Sequence, residues 1–346
     1  MFNRIAFLKL CCPGDILFTT PAIRAVKNKF PDSNLFYITG NYSKFVPEHN
    51  PHIEKTIIVN PPFELSYRFL AGASFARAAR LMAKEKLDLV ISFHRSMIVS
   101  SMAVIGLTKK VLSFDTAWPM VDYSVKFNPH QHEILRYLDL VSVIGVNPEG
   151  RAMEYETKTT EDEEAKNLLR KKNIDGEFAV IAPGGGENPG TVMHIKRWAA
   201  LNYKNISQYI QRRYKLPVVA VGSLLERELA ETISPNINLA GKTSFELLAA
   251  ILKRAAIVIG NDSGPLYLAS AVGAKTIIIY GPSSSKLLEP FSNFHRSISN
   301  PIECQPCYHP QKVERGHITC ATGTLSCMLN IELRYVQNSI DELLKE

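Results

Sequence analysis

The stretch AAIVIGNDSGPLYLASAVGAKTIIIYGPSSS, residues 255–285, constrains the fold of this chain more than any other. Residues 255–260 are apolar and rich in β-branched side chains, as in a strand buried on both faces. Asn261-Asp262-Ser263-Gly264-Pro265 follows, a run of capping residues closed by a proline suited to a first helical turn. Residues 266–272 read as a helix, Gly273 as its stop, and residues 276–280 as the next buried strand. A strand, a tight polar loop and a helix N-terminus make an anion site, because first-turn N–H groups and the helix dipole point the same way. That Asp262 and Ser263 only cap the helix is the competing reading of the same residues.

The same alternation runs through the rest of the chain. From the N-terminus it predicts a strand over 4–10 and a helix over 16–30 kinked at Pro21. Strands over 34–38 and 56–59, a basic amphipathic helix over 74–86 and a strand over 87–93 follow. A charged helix, EDEEAKNLLRKKN, opens a second series behind an exposed linker near 155–160. That series has strands over 178–182 and 218–221, helices over 198–214, 225–233 and 245–254, the stretch above, and a last helix over 333–345. Strand and helix alternating at short spacing indicate an α/β chain with two doubly wound parallel sheets. The expected domains are 1–160 and 161–346, with the final helix packing back on the first. Ligands of such sheets sit at the carboxyl ends of the strands, so a central cleft between two Rossmann-like domains is the expected site.

No run of about 20 apolar residues occurs, so no membrane span is expected. Lys9 and Pro13-Gly14-Asp15 interrupt the apolar N-terminus, which reads as a first strand and not as a signal peptide. A cytoplasmic protein is the expectation. Net charge is +7, and residues 1–150 hold 17 Lys and Arg against 12 Asp and Glu. Without a block of consecutive cations, this favours an anionic substrate or a membrane surface over nucleic acid. Six cysteines form a pair, Cys11-Cys12, and a group, Cys304, Cys307, Cys320 and Cys327. Cys304 and Cys307 have zinc-knuckle spacing, whereas six residues separate Cys320 from Cys327. Free thiols and a structural zinc site both remain open for that group.

Three loops at predicted strand ends carry polar residues suited to a site. Pro13-Gly14-Asp15 places a carboxylate at a helix start, as a cap or as a general base. Pro183-Gly184-Gly185-Gly186, followed by Lys196-Arg197-Trp198, lets backbone N–H groups approach a phosphate with cations nearby. It has neither Walker nor G-x-G-x-x-G spacing, and a plain surface turn is the alternative. Asp262-Ser263-Gly264 is the third.

GDILFTTPAIRAVK, then PGGG and KRWAAL, then LAGKTSFELLAAILKRAAIVIGNDSGPLYLASAVGAKTIIIYGPSS resemble glycosyltransferase family 9. This is the family of lipopolysaccharide heptosyltransferases, with the two-domain GT-B fold. The likeness runs in order over nearly the whole chain and is most specific over 239–282. The ending Cys327-Met328-Leu329-Asn330-Ile331 also looks like that family's C-terminal pattern. The resemblance implies Asp15 as catalytic base and Lys196 on the donor phosphates. It places Asp262 at the donor sugar, Ser263 and Gly264 on the phosphate-binding turn and Glu226 near the nucleotide ribose, with Gly184, Gly185 and Tyr267 further donor-binding candidates. Two departures stand out. Tyr267 occupies the position where the motif usually has histidine, and Ser92-Phe93-His94-Arg95 replaces a more usual acidic-and-glutamine stretch.

The implied reaction is an inverting, metal-independent transfer from a nucleotide-diphosphate sugar to a hydroxyl, with no cofactor required. No D-x-D pair occurs. ADP-heptose is the implied donor and a lipid-linked saccharide, inner-core lipopolysaccharide, the implied acceptor. Another nucleotide sugar, an epimerase or a non-catalytic nucleotide-binding protein are the alternatives. Peripheral attachment to the cytosolic face of the inner membrane is expected through Arg68, Arg77, Arg80, Lys84 and Lys86, with Phe63, Phe69 and Phe75 dipping in.

Overall fold

Apolar runs become parallel strands in both halves of the chain. The structure, a computed structural model, describes residues 2–59, 68–188, 191–308 and 316–345, with residues 68–75 and 98 by backbone alone. It divides into two units, Met1–Tyr155 and Glu156–Glu346.

In the first unit β1 (Arg4–Leu8), α1 (Pro13–Leu17), α2 (Thr20–Lys29), β2 (Asn34–Thr39) and β3 (Lys55–Ile58) lead into α3 (Arg68–Lys84). Then come β4 (Leu89–Ser92), α4 (Met97–Ile105), β5 (Lys110–Phe114), β6 (Tyr123–Val125) and α5 (Glu133–Ser142). The strands form one parallel sheet in the order β3-β2-β1-β4-β5-β6. β1 is central, with Ile5 in register with both Leu35 and Leu89, and Ile5 to Leu8 are fully buried. That explains a strand with no polar face. The helix expected over 16–30 is two helices, separated at Phe18 and Thr19, with Pro21 in the first turn of α2. There its missing N–H costs no hydrogen bond, so the chain breaks before the proline and does not kink at it.

The second unit opens with α6 (Thr159–Arg170) and β7 (Ala179–Ala182). A hairpin, β8 (Glu187–Asn188) and β9 (Thr191–Val192), precedes α7 (Ala200–Tyr214), β10 (Val218–Ala220), α8 (Arg227–Thr232), β11 (Ile237–Asn238) and α9 (Phe245–Arg254). β12 (Ile257–Asn261), α10 (Gly264–Ala271), β13 (Thr276–Tyr280), α11 (Ser285–Leu288) and β14 (His295–Ser299) complete the main sheet region. β15 (Gly316–His317), α12 (Ser326–Leu329) and α13 (Leu333–Lys345) end the chain. The main sheet, in the order β11-β10-β7-β12-β13-β14, is again all parallel. Relative to its own first strand the order is that of the first unit, so each sheet reverses direction beside its first strand, β1 or β7. The residues after β1 and β4, and after β7 and β12, therefore stand at the two crevices where such sheets take ligands.

α13 packs on α7, β12, β13 and β14. Its buried Val336, Ile340 and Leu343 join Trp198, Ile206 and Ile210 in the core of the second unit. A small sheet, β15-β9-β8, ties the C-terminal segment to the hairpin after the glycine loop.

Candidate active site

At the end of β12 the chain turns so that two neighbouring residues do different work. Asn261 is fully buried and all its polar atoms are used. Its Oδ1 accepts from the Trp198 N–H at 2.9 Å and the Tyr203 hydroxyl at 2.8 Å. Its Nδ2 donates to the carbonyls of Pro183 and Gly184, each at 2.8 Å. The amide thus pins the glycine loop to β12 and to the start of α7, a connection invisible in the sequence.

Asp262 is 3% exposed. Its Oδ2 lies 2.5 Å from Lys196 Nζ and accepts from the Ser283 hydroxyl at 2.5 Å, while the Tyr267 hydroxyl donates to Oδ1. Burial pushes the Asp262 carboxyl up, but the Lys196 charge and the hydrogen bonds from Lys196, Ser283 and Tyr267 outweigh it and hold the group below the ordinary carboxylate range. Burial and the neighbouring Asp262 charge push the Tyr267 phenol well up, so it stays a hydrogen-bond donor. Ser263 is the N-cap of α10 without a side-chain cap bond, since its hydroxyl donates to the Asn261 carbonyl at 3.0 Å. Gly264 begins the helix. Ser263 is thus the N-cap by position alone, and the Asp262 carboxylate is taken up by Lys196, Ser283 and Tyr267.

Lys196 ends a 3-10 turn, with its ammonium 4.7 Å above the ring of Tyr308 as well as on Asp262. Tyr308 is held in place by its own N–H, which donates to the Pro282 carbonyl at 2.9 Å, and by Gln305, which donates to the Gly281 carbonyl. An aromatic face on one side and a carboxylate on the other fix the direction of the charge.

The glycine loop follows β7. A Cβ at Gly184 would lie 2.1 Å from Glu226 Oε1, and Gly185 has φ +110°, so both positions require glycine. Glu226 accepts from the Gly185 N–H at 2.5 Å and the Ser223 N–H at 2.8 Å. Arg197 donates to the Gly185 carbonyl at 2.9 Å and to Glu187 at 2.7 Å. Glu226 and Arg197 thus brace the glycine loop.

In the first unit, Asp15 is the third residue of α1, whose N-cap is Cys12. It is half-buried in the first turn, where the helix dipole favours its charge. Burial above all, with a smaller push from the Asp15 charge, raises the phenols of Tyr37 and Tyr137. Tyr137 accepts from Lys9 Nζ at 3.0 Å and donates to Glu133, and Glu133 is paired with the buried Arg136. Burial raises the Glu133 carboxyl, but Arg136, Lys9 and the Tyr137 hydroxyl bring it below the usual range. At the end of β4, His94 Nε2 accepts from the Leu10 N–H at 2.8 Å. Burial and the charges of Lys9 and Arg95 hold the imidazole well below its usual pKa. Arg95 and Arg136 each stack on Phe127, both at 4.7 Å.

Cys11 and Cys12 are joined in a vicinal disulfide. Cys304 and Cys307 are exposed free thiols, Cys320 is partly exposed and Cys327 is buried. Among the described residues no group of three or more His, Cys, Asp or Glu is placed to hold a metal ion.

A family profile described as glycosyltransferase family 9 (heptosyltransferase) matches residues 75–318, more than half of the chain. The chain belongs to glycosyltransferase family 9. A lipooligosaccharide heptosyltransferase 2 of Campylobacter jejuni is 24% identical, over 96% of this chain and 95% of the relative. A family 9 glycosyltransferase structure from Veillonella parvula superposes with a TM-score of 0.81 at 22% identity, covering 99% of this chain and 97% of the other. The E. coli ADP-heptose lipopolysaccharide heptosyltransferase II structure gives 0.76 at 15% identity, covering 99% and 98%. The protein is a GT-B glycosyltransferase of two doubly wound units.

In this transferase the second unit carries Gly184, Gly185, Lys196, Glu226, Asp262, Ser263, Gly264 and Tyr267 in the segments that follow the carboxyl ends of β7, β10 and β12, and Asp15 follows the carboxyl end of β1 in the first unit. Sequence reasoning missed Asn261, Ser283 and Tyr308 as supports, and the linked group Lys9, Tyr137, Glu133 and Arg136 in the first unit. Only Glu133, Arg136 and Tyr137 had a local signal, an i, i+3, i+4 spacing on a helix that was not recognised.

Proposed function

We propose that this transferase moves a heptose from ADP-heptose onto a hydroxyl of the lipopolysaccharide inner core, with inversion at the anomeric carbon and without a metal ion. The acceptor hydroxyl oxygen attacks the anomeric carbon while the bond from that carbon to the diphosphate breaks. Asp15 takes the hydroxyl proton, and the electron pair of the broken bond leaves on ADP. Lys196 and the start of α10 at Ser263 and Gly264 meet the charge that builds on the diphosphate. Gly184 and Gly185 bring backbone to the phosphates, and Asp262 serves the donor sugar while holding Lys196. Tyr267 acts through Asp262.

The observation that carries this reading is the buried Lys196–Asp262 pair beside a glycine loop and a helix N-terminus at a sheet crevice. The names of the relatives support heptose and the lipid-linked acceptor. In this reading the acceptor is met by peripheral contact at the cytosolic face of the membrane; among the described residues no helix is long and apolar enough to cross one. Phe63 lies outside the described residues, and Arg68, Phe69 and Phe75 are described by backbone alone. The test is nucleoside diphosphate release over a panel of nucleotide sugars with a delipidated inner-core acceptor, with and without chelator. Preferred turnover of ADP-heptose, an inverted linkage in the product and indifference to chelator are expected. Preference for another nucleotide sugar, a retained linkage or loss of turnover with chelator would overturn the corresponding part.

A further inference from the structure

The first unit holds a half-buried cation with no acid on it, in the stretch where the chain departs from its family's usual residues. Arg95 follows the carboxyl end of β4, at the crevice beside β1. Its neighbour His94 accepts from the Leu10 N–H at 2.8 Å, which ties the end of β4 to the segment that runs on through Cys11 and Cys12 to Asp15. The Arg95 carbonyl accepts from the Thr116 hydroxyl at 3.0 Å, so the backbone is held on this side as well. The guanidinium lies 4.7 Å from the centre of the Phe127 ring, and Arg136 lies at the same distance from that ring. Two like charges on one ring repel, and only one of them is compensated. Arg136 is paired with Glu133 and donates to the carbonyls of Asn128 at 3.0 Å and Gln131 at 2.5 Å. Among the described residues the Arg95 guanidinium has neither an ion pair nor a hydrogen-bond acceptor. The acids of the neighbouring elements are spent. Glu133 also accepts from the Tyr137 hydroxyl, and Asp115 Oδ1 accepts from the Phe127 N–H at 3.0 Å. No Asp or Glu lies between Asp88 and Asp115 in the chain. Burial holds the guanidinium below its ordinary pKa; the Glu133 charge opposes this and the Arg136 charge adds to it, and the group stays a cation at neutral pH.

We propose that Arg95 binds an anionic group, a carboxylate or a phosphate, on the acceptor saccharide, and so selects an acidic acceptor over a neutral one. A guanidinium presents its N–H donors in a planar fork that takes either group by two parallel hydrogen bonds. Stacking on Phe127 holds the plane of the fork without spending those donors. A bound anion also supplies the opposite charge that Arg95 and Arg136 together lack, in a partly buried place where a charge pair counts for more than in water. His94 takes no share of the anion, because its Nε2 is spent on the Leu10 N–H. That same bond joins the segment carrying Arg95 to the segment carrying Asp15, so a saccharide whose hydroxyl meets Asp15 can set the anionic group of a neighbouring sugar on Arg95. The inference deepens the reading of Asp15 as the acceptor's base and rests on it for the acceptor's place in the first unit.

The test is calorimetric titration and transfer with a delipidated inner-core acceptor in three forms: intact, treated with a phosphatase, and with its carboxyl groups reduced to alcohols. The wild-type chain should bind the intact form roughly tenfold to 100-fold more tightly than at least one neutralised form, and the form that loses affinity identifies the group. Arg95→Gln should weaken binding of the intact acceptor by a similar factor and bring the preference close to one, while the KM for the donor moves by less than about twofold. Arg95→Lys keeps the charge and loses the fork, so it should keep part of the preference. Arg95→Gln with the wild-type preference, or with affinity lost equally for intact and neutralised acceptors, would overturn the inference and leave Arg95 as packing for Phe127. So would a wild-type chain that binds all three forms alike or binds none. Where the glutamine variant does not fold, Arg95→Lys decides, and an unchanged preference overturns the inference. Binding of the intact acceptor through Arg95 without transfer from ADP-heptose overturns the functional reading and leaves the anion site standing. Transfer with a preference that Arg95 does not set overturns the inference alone.

Discussion

The Lys196 ammonium lies 2.5 Å from Oδ2 of Asp262, in a pocket where the lysine side chain is 12% exposed and the aspartate 3%. The pair joins the turn after the glycine loop to the turn after β12. Its two charges are held by a further three groups, Ser283, Tyr267 and Tyr308.

Removing one charge should therefore do more damage than removing both. Lys196→Met leaves a buried carboxylate without its cation, at a cost of about 3–5 kcal/mol, and lowers turnover roughly 100-fold or more. Adding Asp262→Asn should restore most of the stability and none of the turnover. Urea unfolding and nucleotide release on the two single variants and the double variant measure this. Additive losses in stability would show that the pair is not coupled.

Tyr267→Phe keeps the ring and removes one hydrogen bond to the charged form of Asp262. The carboxyl then rises, so the acid limb of kcat/KM should move to higher pH by about one unit or more. A pH profile superimposable on wild type would mean that the phenol does not act through Asp262.

Gly185→Ala forces a side chain onto a residue with φ +110°, 2.9 Å from the Ser263 Cβ. We expect a stability loss of about 1–3 kcal/mol and at least a tenfold loss of nucleotide affinity by calorimetric titration. Unchanged affinity would separate the loop from the nucleotide.

Much of the second unit was legible because its strands are buried on both faces. AVIA, IVIG and III are unbroken apolar runs within these strands, and Ser244, Gly273 and the amphipathic α9 mark helix ends plainly. The region from α4 to α5 was not legible. α4 is apolar on nearly every side and so has no helical period, and β6 is three residues with none fully buried. At the site, Asp262 and Lys196 could be picked out as chemistry, but not as each other's partners. The roles of Glu226 and Arg197 as braces, and of Asn261 as anchor, depend on contacts between loops far apart in the chain, which no local pattern encodes.

Acid should weaken the fold before its carboxylates titrate. Burial, with Arg296 beside it, brings His295 down to about 4, and its ring is bonded to Thr276 at 3.0 Å and Ser297 at 2.8 Å. His94 in the first unit is lowered in the same sense. Unfolded histidines take protons near pH 6.5, so the stability these rings contribute is whole above that and is lost as pH falls from 6.5 toward 4. The slope is about 1.4 kcal/mol per pH unit for each ring. Urea midpoints at pH 7 and pH 5 should show it, and His295→Gln should remove one proton from the slope. A midpoint independent of pH across that range would contradict the assignment.

The division of labour between Asp15 and the Lys196–Asp262 pair is tested most directly by Asp15→Asn, assayed for sugar transfer and for ADP affinity in the same preparation. The amide keeps the shape of the side chain and cannot take a proton. Transfer should fall by roughly 100-fold or more while the ADP dissociation constant stays within about twofold of wild type. Transfer near the wild-type rate, or ADP affinity falling in step with it, would contradict the assignment of Asp15 as the base.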